Sequence, residues 1–170
     1  MSILNITYAD FGKGKYELHK GMYEQQKINE YIDKYERLYL IQLLGGQLFN
    51  DFVADLNAGV PVSPEYLAIY YAFVYDGNCC GVVISDGMVE MIKGFIYFEY
   101  LKDQINQVWV SGVVAPTGEN SNNVSTLNQQ IYTRYNDAVR IYRAIQRYIC
   151  DNSSEYPNFN GVSKAFTHWI

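Results

Sequence analysis

The sequence predicts a mainly α-helical fold, a bundle of about four to five helices with a long extended loop or β-hairpin arm inserted before the last long helix. Three observations predict it. Apolar residues recur at spacings of three and four over long stretches in both halves of the chain. Gly and Pro stand where these stretches end or begin. A long non-helical stretch, "WVSGVVAPTGENSNNVS" (109–125), interrupts the pattern before the final helix.

Three helices are predicted in the first half of the chain. The first begins near Tyr23, and the adjacent Gly45 and Gly46 stop or bend it. The second, "QLFNDFVADLNAG", has an apolar face and ends at Gly59. Residues 61–77, "PVSPEYLAIYYAFVYDG", are assigned to a turn and a short third helix. This helix begins near Ser63 and Pro64, since Pro is well accommodated at the first helical position.

The second half contains the two strongest helical patterns. Residues 86–104 have apolar side chains on two flanks, so we expect this helix to pack on both sides, either centrally in the fold or between subunits. Residues 126–150 alternate gaps of four and three between apolar positions, with Ser125 as a candidate N-cap. Ahead of these helices, "NCCGVVIS" (78–85) predicts a short extended segment.

The whole chain, 1–170, is expected to form a single domain. Residues 1–21 combine one possible short strand with a Gly- and Lys-containing stretch, and we expect a mobile N-terminal arm. Residues 105–124 are expected to form an extended loop arm. Residues 151–170 are rich in aromatic side chains, which favours a docked C-terminal tail.

Composition excludes several classes of protein. Apolar residues make up 49% of the chain, which excludes a disordered protein, and a formal charge of -5 argues against a broad basic nucleic-acid footprint. The N-terminus lacks a signal-peptide pattern and no apolar run reaches the length of a membrane span. The 17 Tyr leave two interpretations open, core packing and use at subunit interfaces.

No catalytic, cofactor-binding or metal-binding residue is predicted. The two imidazoles, His19 and His168, lie in the N-terminal arm and near the end of the sequence. Cys79 or Cys80 could act as a nucleophile, but no base lies near them in the sequence. Three cysteines without C-x-x-C spacing indicate neither a disulfide framework nor a zinc site. We therefore expect a protein made in a reducing cytoplasm that is not an enzyme.

One charged feature stands out on the last predicted helix. Arg140, Arg143 and Arg147 fall within about 60° of one another at 100° per residue. On that stripe only Asp137 is available as an i, i+3 partner. The stripe is either a solvated basic face or a surface that meets an acidic stripe on a neighbouring copy, which would generate rings or filaments. The acidic candidates are Asp33 with Glu36, and Asp51 with Asp55.

Other residues are predicted to contact a neighbouring subunit or partner. Trp109 and Val113 would anchor the extended arm, and Glu119 is the one ionisable group of the 109–125 stretch. The remaining candidates are Tyr97 and Glu99 on the two-sided helix and Trp169 in the tail.

Four segments in order resemble a known family. They are "KYERLYLIQLLGGQLFNDFVADL", "GFIYFEYLKDQ", "PTGENSNNVS", and "YNDAVRIYRAIQRYICDN" followed by "YPNFNG". Together they are similar to the neck, or head-to-tail connector, proteins of tailed bacteriophages. More narrowly, they resemble versions from phages of gut Bacteroides-type hosts, including the crAss-like phages. The resemblance runs from about residue 30 to the C-terminus, and its evidence is the order and spacing of the segments.

The resemblance implies a helical adaptor that forms a ring of identical subunits, commonly twelve, in the neck of the virion. The ring would link the portal protein to neighbouring neck or tail proteins and line the channel through which DNA passes. It implies no enzyme activity, no cofactor and no membrane. The segment 105–124 matches the family's extended element, which reaches a neighbour. An alternative from the residues alone is a small cytoplasmic helical binding module or regulator that acts on a host protein.

Overall fold

A computed structural model gives the architecture. It describes residues 2–18, 25–77, 81–105, 108–109, 112–113 and 125–166. Within these residues the helices are α1 (Gln25–Leu44), α2 (Gly46–Asp55), α3 (Pro64–Tyr70), α4 (Met88–Ile105) and α5 (Ser125–Asp151). The strands are β1 (Leu56–Asn57), β2 (Val60–Pro61), β3 (Phe73–Gly77), β4 (Gly81–Ser85), β5 (Val108–Trp109) and β6 (Gly112–Val113).

The predicted fold class is confirmed. Five α-helices dominate the described residues, and the strands form three two-stranded antiparallel sheets, β1 with β2, β3 with β4 and β5 with β6. The sheet of β5 and β6 lies just before the last long helix, where the sequence predicted an extended loop or β-hairpin. The predicted N-cap, Ser125, is the first residue of α5.

Helix α4 lies at the centre of the fold, between α5 and α1. Its Met91, Ile92 and Phe95 are completely buried. Both apolar flanks of α4 are therefore covered inside one subunit. Of the two alternatives, packing at the centre of the fold and packing between subunits, the structure shows the first. The buried side chains of α4 are Met88, Met91, Ile92, Phe95, Ile96, Tyr97, Phe98, Tyr100 and Leu101.

The break between α1 and α2 lies at Gly45, the first of two adjacent glycines. The N–H of Gly45 makes the last helical hydrogen bond of α1, to the carbonyl of Ile41 at 2.8 Å, and its φ of 81° then ends the helix. A Cβ at Gly45 would also lie 2.7 Å from backbone atoms of Asn160. Only glycine combines this backbone conformation with so close an approach of another segment.

Residues 2–18 correct the prediction of a mobile arm. They form two short 3-10 helices, Tyr8–Phe11 and Gly14–Tyr16, and no strand. The carboxylate of Glu36 accepts the backbone N–H groups of Ile3 and Leu4 at 2.7 and 2.8 Å. The apolar residues of this N-terminal segment pack into the common core. They are Leu4, Ile6, Phe11, Tyr16 and Leu18.

The sheet of β3 and β4 contains a second difference from the sequence-based prediction. The third helix ends at Tyr70, and residues 73–77, which the sequence assigned to a turn and short helix, form β3. The rings of Phe73 and Tyr75 both lie 5.1 Å from that of Tyr148 on α5. Pairing with β4 and packing on α5 therefore decide the strand conformation, as β propensity depends on such context.

Residues 151–166 run back along α1 and α5. Tyr156 is buried, and its hydroxyl donates to the carbonyl of Glu65 in α3. The N–H groups of Asn160 and Val162 then donate to the carbonyls of Leu44 and Gln42 at 3.2 and 2.7 Å. These bonds use carbonyls at the end of α1 that lack helical partners. We call residues 157–166 the strap.

Many of the tyrosines belong to the core of the subunit. The hydroxyl of Tyr16 donates to the carbonyl of Glu90, and that of Tyr39 donates to the Glu99 carboxylate at 2.6 Å. A buried tyrosine is tolerated when its hydroxyl is bound in this way. Of the two interpretations of the tyrosine content, core packing accounts for the following residues: Tyr16, Tyr39, Tyr70, Tyr97, Tyr100, Tyr142 and Tyr156.

Candidate interaction surface

A groove of about 450 Å³ runs between β4 and α5. Side chains of Arg140, Arg143 and Arg147 form its α5 wall, and Val82 and Ile84 stand on its β4 wall. We call this the arginine groove. In this groove the predicted arginine stripe lies beside the apolar strand β4. The sequence pattern did not indicate this contact.

Arg140 is well exposed, with 67% of its side chain accessible to solvent. It pairs with Asp137, as the sequence predicted. The same carboxylate lies 3.1 Å from the Lys15 ammonium and 3.8 Å from the Arg134 guanidinium. One carboxylate is thus shared by three cations, and Asp86 adds a second carboxylate to the lining of the groove.

Arg143 is held by the strap. Its Nε donates to the carbonyl of Lys164 at 2.8 Å, and its guanidinium lies 4.2 Å from the centre of the Phe166 ring. The stacked, hydrogen-bonded geometry fixes the planar guanidinium at the rim of the groove.

Arg147 is held by the β3–β4 sheet and by its own helix. A Cβ at Gly77, the last residue of β3, would lie 2.6 Å from the Arg147 guanidinium. The side chain also approaches Asp151 at 4.0 Å, an i, i+4 partner that the sequence analysis missed although its spacing was visible. Arg147 therefore joins α5 to the strand pair.

The outward face of β3 and β4 carries three apolar side chains and the carboxylate of Asp76. The cross-strand register pairs Val74 with Ile84 and Asp76 with Val82. Val74, Val82 and Ile84 are 73%, 62% and 61% exposed. Each strand has one hydrogen-bonded neighbour among the described strands, so each has an edge that no described strand covers. Exposed β-branched residues on an open strand pair are a recognised point of association.

Two of the four acidic residues proposed as counterparts are bound inside the subunit. Glu36 is only 1% exposed. Asp55 accepts the N–H groups of Val62 and Ser63 at 2.8 and 2.9 Å, and its bonds with Ser63 lower its pKa. Asp33 and Asp51 are exposed, and Asp51 accepts an Asn158 amide at 3.0 Å. Glu36 is therefore excluded as a residue that faces a neighbour, whereas Asp33 and Asp51 stay candidates.

Two further candidates on α4 lie inside the subunit. Tyr97 is 8% exposed, and its ring is 5.8 Å from that of Tyr16. Glu99 is half-buried and binds the Tyr39 hydroxyl. Neither presents a free surface to a neighbour in this conformation.

The remaining candidates lie in or near the extended arm and the tail. Trp109 is in β5 and Val113 in β6, where the register pairs Val108 with Val113 and Trp109 with Gly112. Glu119 and Trp169 lie outside the described residues.

The residues considered for chemistry are mostly outside the described part of the chain. These are His19, His168, Cys79 and Cys80. In the part that the structure describes, no group of three or more His, Cys, Asp or Glu side chains is placed to hold a metal ion. Nor does any helix there have the length and apolar character needed to cross a membrane.

Comparison with known proteins gives no relative from which a function could be inferred. No protein-family model, no curated protein and no solved structure matches this chain. Its function is therefore inferred from its own residues and their geometry.

Proposed function

We propose that this chain is a structural subunit of a tailed-phage virion, which assembles with copies of itself into a ring in the head-to-tail neck. The ring, of twelve copies by analogy with the family, would link the portal protein to neighbouring neck or tail proteins and line the DNA exit channel. The resemblance of four sequence segments to neck proteins supports the phage assignment. The arginine groove is the structural observation that supports assembly into a ring.

The charge of the groove is opposite to that of the chain. Arg140, Arg143 and Arg147 concentrate positive charge on one side of α5, whereas the whole chain has a formal charge of -5. Negative charge must therefore dominate the rest of the molecule. A positive surface on one side and negative surfaces elsewhere favour a contact between different faces of two copies, and such contacts close into rings when the rotation permits.

The neighbouring apolar face would add binding area. Val82 and Ile84 line the groove together with the arginines, and Val74 is the cross-strand neighbour of Ile84. A partner that covers the groove would therefore also cover exposed apolar side chains. Arginine is enriched at protein interfaces, and the apolar side chains add area that a partner would remove from water. The two features together support an interface better than a solvated basic stripe alone.

Other features fit this function without requiring it. The covered flanks of α4 and the buried tyrosines give the subunit its own core, so we propose that it folds before it assembles. A net negative chain suits a channel for DNA, because a basic lumen would bind the phosphates and retard transit.

Mass spectrometry of purified virions tests the location. We expect the chain in the particle at the copy number of a ring, and cryo-electron microscopy should place it between portal and tail. Its absence from the particle would overturn the proposal. The small cytoplasmic binding module would then be favoured, with the arginine groove as the site for a host protein that copurifies with the chain.

Charge reversal tests the surface. Arg140→Glu is the best variant because Arg143 also holds the strap and Arg147 holds the β3–β4 sheet. Ile84→Thr removes apolar area while keeping a β-branched side chain. In phage that carry either variant we expect separate heads and tails and a fall in infectious titre, while circular dichroism of the purified subunit stays unchanged.

The matched control is Lys13→Glu, which makes the same charge change at an exposed position of the N-terminal segment. It should leave head-to-tail joining intact. Normal titres from both Arg140→Glu and Ile84→Thr phage would exclude the arginine groove as a contact of the ring.

A further inference from the structure

The strap places a cation over three aromatic rings. The Nζ of Lys164 lies 4.4 Å from the ring centre of Tyr39, 5.4 Å from that of Phe95 and 5.8 Å from that of Tyr142. These rings come from α1, α4 and α5 respectively. Cations are attracted to the faces of aromatic rings within about 6 Å of the centroid. We call the three rings the aromatic cage.

The rings of the cage are fixed by contacts that do not involve the lysine. Tyr39 stacks on Phe95 with ring centres 4.1 Å apart and planes inclined by 10°. The hydroxyl of Tyr39 is bound by Glu99, and that of Tyr142 donates to the Gln42 carbonyl at 2.6 Å. All three rings are buried. The cage is therefore organised before its cation arrives, which reduces the ordering cost of binding.

The surroundings of Lys164 act on its charge in opposite directions. Burial lowers the pKa of Lys164, and the negative charge of Glu99 offsets part of this effect. Aromatic rings are the groups in contact with the ammonium ion, and such rings recognise alkylammonium ions. We infer that Tyr39, Phe95 and Tyr142 form a binding site for an alkylammonium ion, and that Lys164 is its resident ligand.

Occupation of this site holds the strap and, through it, the arginine groove. The carbonyl of Lys164 is the group that accepts the Arg143 Nε. On the other side of the lysine, Val162 is bound to the end of α1. A free alkylammonium ion that displaces Lys164 would release these contacts together. This inference concerns the subunit alone and does not depend on the proposed function.

Chemical rescue of the full chain tests the site. Lys164→Ala keeps Cβ and removes Cγ, Cδ, Cε and Nζ, which n-propylammonium supplies in full. We expect Lys164→Ala to lower the thermal midpoint by about 2–4 °C. Millimolar n-propylammonium chloride should restore part of that loss and slow hydrogen exchange at the Val162 N–H. Equal concentrations of n-propanol or sodium chloride should do neither.

The wild-type chain, whose cage is full, is the control and should not be stabilised by n-propylammonium. Equal stabilisation of both chains, or equal rescue by n-propanol, would overturn the inference. Lys164→Met, a neutral side chain of similar length, gives a second test that does not require an empty cage. Faster hydrogen exchange at the Val162 N–H in Lys164→Met would support an ammonium site. Exchange and a thermal midpoint equal to those of the wild type would show that the cage makes only apolar contacts with Lys164.

Discussion

The backbone N–H of Leu4 donates a 2.8 Å hydrogen bond to the carboxylate of Glu36, a side chain that is 1% exposed in the middle of α1. The N–H of Ile3 and the hydroxyl of Ser2 donate to the same carboxylate at 2.7 and 3.0 Å. A buried carboxylate is tolerated when its oxygens are satisfied in this way. The contact turns a polar residue of α1 into the anchor of the N-terminal segment.

The first prediction concerns Glu36 and pH. Burial raises the pKa of Glu36 above 4.5, although the hydrogen bonds act in the opposite direction. Between 4.5 and the native pKa the folded chain binds more protons than the unfolded chain, so this group's contribution to the free energy of unfolding falls as pH rises. Glu36→Gln should cost about 1–3 kcal/mol, because an amide NH₂ replaces an acceptor oxygen. The cost should be largest at low pH.

Urea unfolding of both chains between about pH 4 and pH 7 measures this cost, and the difference between them cancels the titration of groups that they share. A cost that grows with pH would mean that the hydrogen bonds outweigh burial and lower the native pKa.

The second prediction concerns the Tyr142 hydroxyl, whose single proton is shared between the carbonyls of Gln42 and Val162. Tyr142→Phe should lower the free energy of unfolding by about 1 kcal/mol, because the two carbonyls lose the donor that they share. Hydrogen exchange at the Val162 N–H should accelerate, since the strap loses one of its attachments. Tyr71→Phe, at an exposed ring, should change neither quantity.

The third prediction concerns the fit of the strap against α1. A Cβ at Gly161 would lie 2.0 Å from the carbonyl oxygen of Leu43 and 2.6 Å from the Gln146 amide. Gly161→Ala must push the strap away and should cost about 1–3 kcal/mol in chemical unfolding. The control is Gly46→Ala, where a Cβ meets nothing within 4 Å. That variant should be neutral or more stable by up to about 1 kcal/mol.

The fourth prediction concerns the carboxylate shared by Lys15, Arg134 and Arg140. Asp137→Asn leaves these cations without their common counter-charge and should cost about 1 kcal/mol at low salt. The cost should shrink in high salt because ions screen the pairs. Thermal unfolding at two salt concentrations measures it, with the exposed Asp76→Asn as control. A cost independent of salt would indicate that Asp137 acts through hydrogen bonds rather than charge.

The helices were predictable because their signals are local. The period of apolar residues in α4 and α5 and the break at Gly45 can be read within a few turns of the chain. Strand β3 could not be read in this way. Phe73 and Tyr75 continue an aromatic stretch that also suits a helix, and their contact with Tyr148 on α5 decides the outcome.

Only the α5 side of the arginine groove was predictable from the sequence. The arginine stripe follows from helical spacing, but the apposition of Ile84 depends on how β4 meets α5. Glu36 was expected at a solvated face because of its neighbours in the sequence. The groups that donate hydrogen bonds to it lie more than 30 residues earlier. Glu99 was also expected to face a partner, but it binds Tyr39, which lies 60 positions earlier in the chain. Periodicity identifies a face but not what covers it.

We expect the contacts that attach the strap and α5 to α1 to form late in folding. Tyr142 reaches the Gln42 carbonyl across 100 positions of sequence, and Gln146 reaches the Leu43 carbonyl across 103. Closing so long a loop is entropically costly until the intervening helices have formed. On the ribosome, α1 therefore emerges with its C-terminal end uncovered and keeps that end exposed until the strap has been synthesised. Because the strap is synthesised after the helices that it contacts, we expect it to dock after them.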